Sequence, residues 1–313
     1  MMTEKFFFSG FQFSKEFVPY IPRMEYRLFS CHDQYLSSVE RTGLQYSRNG
    51  LRLKEVILDS GAFTAWTKGR RMTVGEVHVN FQFGINAFKD VCDKIWLINL
   101  DVIPGSWTKT ATPEERIQAC KDSDWNQTRL EAGFGKIVLP VFHQNEAWSR
   151  LDEVMAQAAD GNYICASPRN DVHESERRPW AQRVHRLTKN FRTHGLATTG
   201  ADMLLSVPWH SVDSASWIHM SAYGYILFSV ESGSFKMVPI SSKSKRLSDQ
   251  DRHFDTFSSE RRAHWMRIID ERGFDVKQLA DSFPLRCAFN MISMKEILSQ
   301  ERKEVGVQTS LFD

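Results

Sequence analysis

The sequence predicts an α/β fold, a parallel (β/α)8 barrel of the TIM type followed by a helical appendage. Two observations carry this expectation. Short apolar runs alternate with amphipathic stretches about eight times before residue 230. Beyond that point the alternation gives way to helical patterns with no strand between them. A doubly wound open sheet is the competing arrangement, and periodicity alone does not separate the two.

In order, the candidate strands are Arg27 to Ser30, Glu55 to Leu58, Lys94 to Leu100, Lys136 to Phe142, Asn162 to Ala166, Arg192 to Leu196, Ser211 to Asp213, and Tyr225 to Phe228. Thr112-Pro113-Glu114-Glu115 reads as a helix start, with Thr112 as N-cap and proline at the first helical position. Ala147 to Ala159 and Glu174 to Asn190 place apolar residues at helical spacing. Ser241 to Arg246 is a polar, basic loop, and Ser259 to Arg272 and Met294 to Lys303 read as helices. The division expected is a barrel over 1–240, a helical appendage over 241–304 and a flexible tail over 305–313.

Composition sets outer bounds. The 313 residues bury a large core, and the 42% hydrophobic and 25% charged content is that of a folded, water-soluble chain. A net charge of +2 means that any polyanion must be held by local basic patches. The five cysteines, at positions 31, 92, 120, 165 and 287, form no C-x-x-C or C-x-C pair, so neither a disulfide framework nor a thiolate zinc site is expected. Phe6-Phe7-Phe8 is too short for a signal-peptide core and no run reaches membrane-spanning length. The expected compartment is cytoplasmic, with no membrane partner.

Several apolar runs end in ionisable groups. Val56-Ile57-Leu58 leads to Asp59-Ser60-Gly61-Ala62-Phe63, Asn99-Leu100 to Asp101, Val141-Phe142 to His143-Gln144, and Ser211-Val212 to Asp213-Ser214, with His194-Gly195-Leu196 before it. Taken alone, Asp59-Ser60-Gly61 is an ordinary Asx-type turn. Taken together, polar groups at successive strand ends are what the active face of a barrel requires. Two carboxylates delivered to one mouth suit chemistry at a sugar carbon, one as nucleophile and the other as acid or base. His143, His194 and His210 lack spaced partners, so no metal is predicted.

These motifs, in this order, resemble the guanine transglycosylase superfamily over roughly residues 25 to 230, and most of all its branch acting on DNA with 7-deazaguanine bases. The tRNA enzymes of that family read D-S-G-G-F-Q at the first motif, where this chain has Ala62 and Thr64 in place of the second Gly and the Gln. The resemblance implies a (β/α)8 barrel that exchanges guanine for a free 7-deazaguanine base such as preQ0 or a derivative. It implies Asp213 as the nucleophile at C1′ and Asp59 as general acid and base. Asp101 would read the base through its N–H donors. Phe63 would stack on the base, Gln144 or His143 would bond its carbonyl edge, and Ser60, Ser167 and His194 would lie near it. The tRNA enzymes carry a C-x-C-x-x-C zinc site after the nucleophile. Met220 to Ser242 contains no cysteine, so no zinc subdomain is expected and DNA is favoured over tRNA. The rivals are the same exchange on tRNA, a barrel glycoside hydrolase, and an inactive DNA-binding accessory protein.

Basic clusters are solvated surface by default and phosphate contacts where DNA binds. The candidates are Lys68, Arg70 and Arg71, directly beyond the Asp59 loop, and Lys243, Lys245 and Arg246, with Arg177-Arg178 and Arg261-Arg262 behind them. A base inside a duplex must be flipped, or taken from an unpaired strand. Trp209 and Trp217 flank the nucleophile, either as a seal against water or as core. Finally, Gln308-Thr309-Ser310-Leu311-Phe312-Asp313 resembles the Q-x-S-L-F peptide that docks bacterial DNA enzymes on the sliding clamp, with Leu311 and Phe312 as apolar anchors and Gln308 as polar pin.

Overall fold

In a computed structural model of the chain, the described residues are 3–105, 110–169, 171–198, 200–230 and 234–298. Gln308, Leu311 and Phe312 of the tail motif lie outside them. Nine strands form one sheet: β1 (Lys5–Ser9), β2 (Tyr26–Ser30), β3 (Leu53–Asp59), β4 (Cys92–Ile98), β5 (Val138–Leu139), β6 (Val141–His143), β7 (Tyr163–Ser167), β8 (Arg192–Gly195) and β9 (Ser211–Ser214). Their order is β5-β4-β3-β2-β1-β9-β8-β7-β6 and every pairing is parallel.

The two ends of that order, β5 and β6, are separated in the chain by Pro140 alone. Proline has no N–H to donate, so it interrupts one strand into two short pieces. The first piece pairs with β4 and the second with β7. The Pro140 carbonyl still accepts from the Cys165 N–H at 2.8 Å. Counted as one interrupted strand, β5 and β6 close an eight-membered parallel barrel. The expected barrel is therefore present, and the open sheet is not.

The helices of the barrel are α1 (Leu36–Arg48), α2 (Ala62–Thr67), α3 (Val74–Phe88), α4 (Pro113–Phe134), α5 (Ser149–Ala156), α6 (Glu174–Leu187), α7 (Ala201–Ser206) and α8 (Ser216–Ala222), with a 3-10 turn over Val18–Arg23 in the first crossover. Helix α4 starts where the sequence predicts. Thr112 accepts from the Glu115 N–H and Glu115 reaches back to the Thr112 N–H, a full capping box with Pro113 in the first turn.

Two expectations need correction. Tyr225 to Phe228 is a strand, β10 (Tyr225–Val230), but it lies outside the barrel in an antiparallel hairpin with β11 (Ser234–Pro239). The barrel strand missing from the sequence reading is β1, which pairs with both β2 and β9. Its Phe6-Phe7-Phe8 core is buried on both faces, so it reads as an unbroken apolar run without strand alternation. After the hairpin the described residues form α9 (Ser259–Glu271), α10 (Val276–Asp281) and α11 (Phe283–Leu298), the last packing on β10 and α8.

Among the described residues, two apolar clusters make up the core. The larger lies between strands and helices. The smaller contains Phe7, Leu28, Ile57, Trp96, Ile98, Leu139, Val141, Tyr163 and Cys165, and apart from Ala159 every buried member is on a strand, so it fills the barrel interior. Among the described residues no helix is long and apolar enough to cross a membrane. Phe7 is wholly buried within the interior cluster. Phe7→Ala is expected to cost roughly 3–5 kcal/mol in urea unfolding. A loss under about 1 kcal/mol would mean that β1 does not close the barrel in solution.

Candidate active site at the carboxyl ends of the strands

Side chains alternate along a strand, so the residue two beyond an interior position also faces inward. Stepping from Phe7, Leu28, Ile57, Val141, Cys165 and Ser211 gives Ser9, Ser30, Asp59, His143, Ser167 and Asp213, all at carboxyl ends of parallel strands. Asp101 enters the same mouth from the loop after β4. That loop is pinned by buried polar residues of α4: Ser123 accepts from the Val102 N–H at 2.8 Å and from the Asn99 side chain at 2.9 Å, and Asn126 donates to the Leu100 carbonyl at 2.7 Å.

Asp213 is nearly buried and well held. One carboxylate oxygen accepts from Ser9 Oγ at 2.8 Å, and the other accepts from the Ala197 N–H at 2.9 Å and lies 3.3 Å from His194 Nε2. His194 is fully buried, and its Nδ1 bonds Ser211 Oγ at 2.6 Å, which in turn bonds the Tyr163 hydroxyl. A polar chain thus runs from the barrel interior up to this carboxylate. Gly195 clears the way, since a Cβ there would stand 3.1 Å from the Trp209 ring. Trp209 and Trp217 are both core residues, and Trp217 Nε1 donates to the Ser9 carbonyl at 2.7 Å.

Asp59 sits differently. Its carboxylate accepts from the Gly61 N–H at 3.1 Å, and Gly61 adopts φ +84°, with room for no Cβ because His32 would meet it at 2.7 Å. The Asx-type turn and the functional carboxylate are therefore one structure. Burial, followed by the charge of Asp101 and then that of Asp213, pushes the Asp59 pKa up from 3.8 to about 7. Below them, burial and then the charges of Asp213, Asp101 and Asp59 push the Cys165 thiol pKa up. Asp101 faces His143, whose Nε2 is 2.8 Å from its Oδ2. Burial works against a charged His143, but Asp101 outweighs it and raises the imidazole pKa.

The remaining predicted residues divide. Phe63, just past the turn, is 53% exposed and stacks with Trp66, leaving its other face free of protein rings among the described residues. His143, not Gln144, points into the mouth. Gln144 faces outward, accepting from the Arg169 N–H at 2.9 Å and donating to the Glu176 carbonyl at 3.3 Å. Ser60 is buried with its hydroxyl on the Asn99 carbonyl at 3.1 Å, so it braces β3 against the neighbouring loop. His194 backs the Asp213 carboxylate from below and has no exposed surface to offer a base. Ser167 lies on the inner face beside His143, its carbonyl taken by the Gln144 N–H at 3.0 Å. Beyond the Asp59 loop, Arg70 is held by Asp33 at 2.8 Å and by Glu76, and Lys68 by Gln34, while Arg71 is exposed. Ser9 and the Ala197 N–H were missed. The polar residue closing the Phe6-Phe7-Phe8 run was the available signal for Ser9, and a backbone donor leaves none. Among the described residues no group of three or more His, Cys, Asp or Glu side chains is placed to hold a metal ion.

Comparison by sequence finds no matching family model and no matching curated protein. By structure, the chain is similar to the tryptophan synthase alpha chain from Legionella pneumophila (10% identity over 95% of this chain and 92% of that one, TM-score 0.43). It is also similar to the carboxyl transferase domain of Rhizobium etli pyruvate carboxylase (9% identity over 96% and 49%, TM-score 0.38).

Because Asp59 has a higher pKa folded (about 7) than its ordinary 3.8, its contribution to stability is complete below 3.8 and lost as pH rises through 7. Asp59→Asn is therefore expected to raise Tm over wild type at pH 8, with the gain shrinking by pH 5. Equal Tm differences at both pH values would show that Asp59 is not held protonated by its neighbours.

Proposed function

We propose that the chain is a base-exchange transglycosylase acting on guanine in DNA. The observation that carries the proposal is the convergence of three carboxylates in unlike settings: Asp213 aligned by Ser9, Ala197 and His194, Asp101 beside His143, and Asp59 with a pKa near 7. A site that needs one oriented nucleophile and one proton carrier is served by carboxyl groups whose surroundings differ in this way.

In the first displacement the Asp213 carboxylate attacks C1′. The bond from C1′ to the base nitrogen breaks, and Asp59 delivers a proton to the departing guanine. In the second, the ionised Asp59 takes the N–H proton of a 7-deazaguanine base such as preQ0. The freed nitrogen attacks C1′ and the ester bond to Asp213 breaks. Two inversions retain the configuration of the sugar. Asp101 keeps one oxygen for the N–H donors of the base while the other faces His143, and Phe63 offers a ring face for stacking. The chemistry calls for no cofactor beyond the free base. The sequence motifs that resemble the DNA branch of the guanine transglycosylases, and the absence of cysteines over Met220 to Ser242, favour DNA over tRNA.

The test is release of labelled guanine from DNA and from tRNA in the presence of preQ0, with mass analysis of the resulting nucleosides. Exchange into DNA is expected for wild type, with losses of at least a hundredfold in Asp213→Ala and in Asp59→Asn. Exchange confined to tRNA, sugar release with water as acceptor, or wild-type rates in Asp213→Ala would each overturn the proposal.

The terminal Q-x-S-L-F peptide is proposed as a tether to the bacterial sliding clamp. Deleting residues 308–313 is expected to abolish binding to immobilised clamp while exchange on short DNA stays unchanged. No binding by the intact chain would end this part of the reading.

A further inference from the structure

We infer that the appendage carries a second nucleic-acid site, a trough for an unpaired strand away from the barrel mouth. The choice of DNA for this strand rests on the function proposed above, whereas the preference for an unpaired polyanion rests on the trough. It is a hollow of about 900 Å³ at the carboxyl end of α8, between the β10–β11 hairpin and the chain that follows it. Six cations line it: Lys236, Lys243, Lys245, Arg246, Arg252 and Arg261, against the single carboxylate of Asp251.

These cations differ from the cluster beyond the Asp59 loop. Arg70 there is neutralised by two carboxylates. Among the described residues, no carboxylate lies within ion-pair distance of Lys236, Lys243, Lys245, Arg246 or Arg252. Concentrated positive charge with no internal partner raises the local potential and is relieved by a bound polyanion.

Ring faces stand among the charges. Tyr223 is 71% exposed and Tyr225 half-buried, while Phe257, buried, underlies the hollow. The Arg261 guanidinium lies 3.7 Å from the centre of the Phe257 ring, which fixes it as a flat cationic platform. A backbone-tracking row of cations with aromatic platforms is the chemistry that holds single strands, because only unstacked bases can lie on a ring. A lipid surface or an acidic peptide would satisfy the charges but offers no flat base to stack on the exposed Tyr223 ring.

The experiment is fluorescence anisotropy of labelled oligothymidylate with the full chain over a range of salt. Thymidylate contains no guanine, so the result does not depend on exchange chemistry. Replacing Lys243, Lys245 and Arg246 by alanine is expected to make the log–log salt slope shallower by about 2, since each phosphate neutralised on a single strand contributes about 0.7. Tyr223→Ala is expected to weaken binding about fivefold or more. Unchanged affinity and slope in the triple variant would overturn the inference, as would tighter binding to a duplex of equal length or to phosphatidylglycerol vesicles. Tighter binding of oligouridylate would overturn the choice of DNA.

Discussion

Three carboxylates cannot all carry full charge in one partly buried mouth without compensation, and how that compensation is distributed governs the rest of the site. Two of the three stand beside imidazoles, Asp101 by His143 and Asp213 by His194. Among the described residues the Asp59 carboxylate has no such partner, and accepts from the Gly61 N–H and the Ser30 hydroxyl. Burial, then the charges of Asp101 and Asp213, therefore raise the Asp59 pKa to about 7, and a retained proton is best accommodated on this group. The difference between the carboxylates follows from where two histidines fall, His143 on β6 and His194 on β8, one on either side of β7.

That distribution depends on a rigid frame. Parallel strands bring their carboxyl ends to one face, and the buried interior of Phe7, Ile57, Ile98 and Val141 fixes the strands relative to one another. The seam at Pro140 matters here. Proline splits one strand into two short pieces, yet its carbonyl still bonds across to Cys165, so the barrel closes and β6 carries His143 to within 2.8 Å of Asp101. Polar groups extend the frame upward. Tyr163, Ser211 and His194 link the interior to Asp213, and Ser123 and Asn126 of α4 tie down the loop bearing Asp101.

The sequence made the three aspartates legible because each follows an apolar run, and strand ends are marked by that change of character. The α4 start was legible for a similar reason, since a capping box is a local signal with a local cause. What escaped was set by tertiary contacts. A run of three phenylalanines has no alternation, and only its burial on both faces makes it a strand. Whether Tyr225 to Phe228 joins the barrel or leaves it depends on β1 already occupying the place beside β9. The choice between His143 and Gln144 was a one-residue register question, and a one-residue step in a strand reverses the face of every side chain. His194 was recognised as part of the site but given the wrong task. Its position along the strand puts it one layer below the mouth, where a buried imidazole serves a carboxylate, not a ligand.

The electrostatic coupling between Asp59 and Asp213 has a consequence for the proposed exchange. The negative charge on Asp213 is one of the causes that raise the Asp59 pKa. When Asp213 attacks C1′ it becomes an ester and loses that charge, so the pKa of Asp59 falls as the departing guanine needs a proton. When the second displacement breaks the ester, the charge returns and the pKa of Asp59 rises as the incoming base must give one up. Each covalent step thus shifts the proton equilibrium in the direction that the same step requires. In the proposed exchange this requires only that Asp59 feel the charge on Asp213, with both carboxyl groups staying at the ends of their strands.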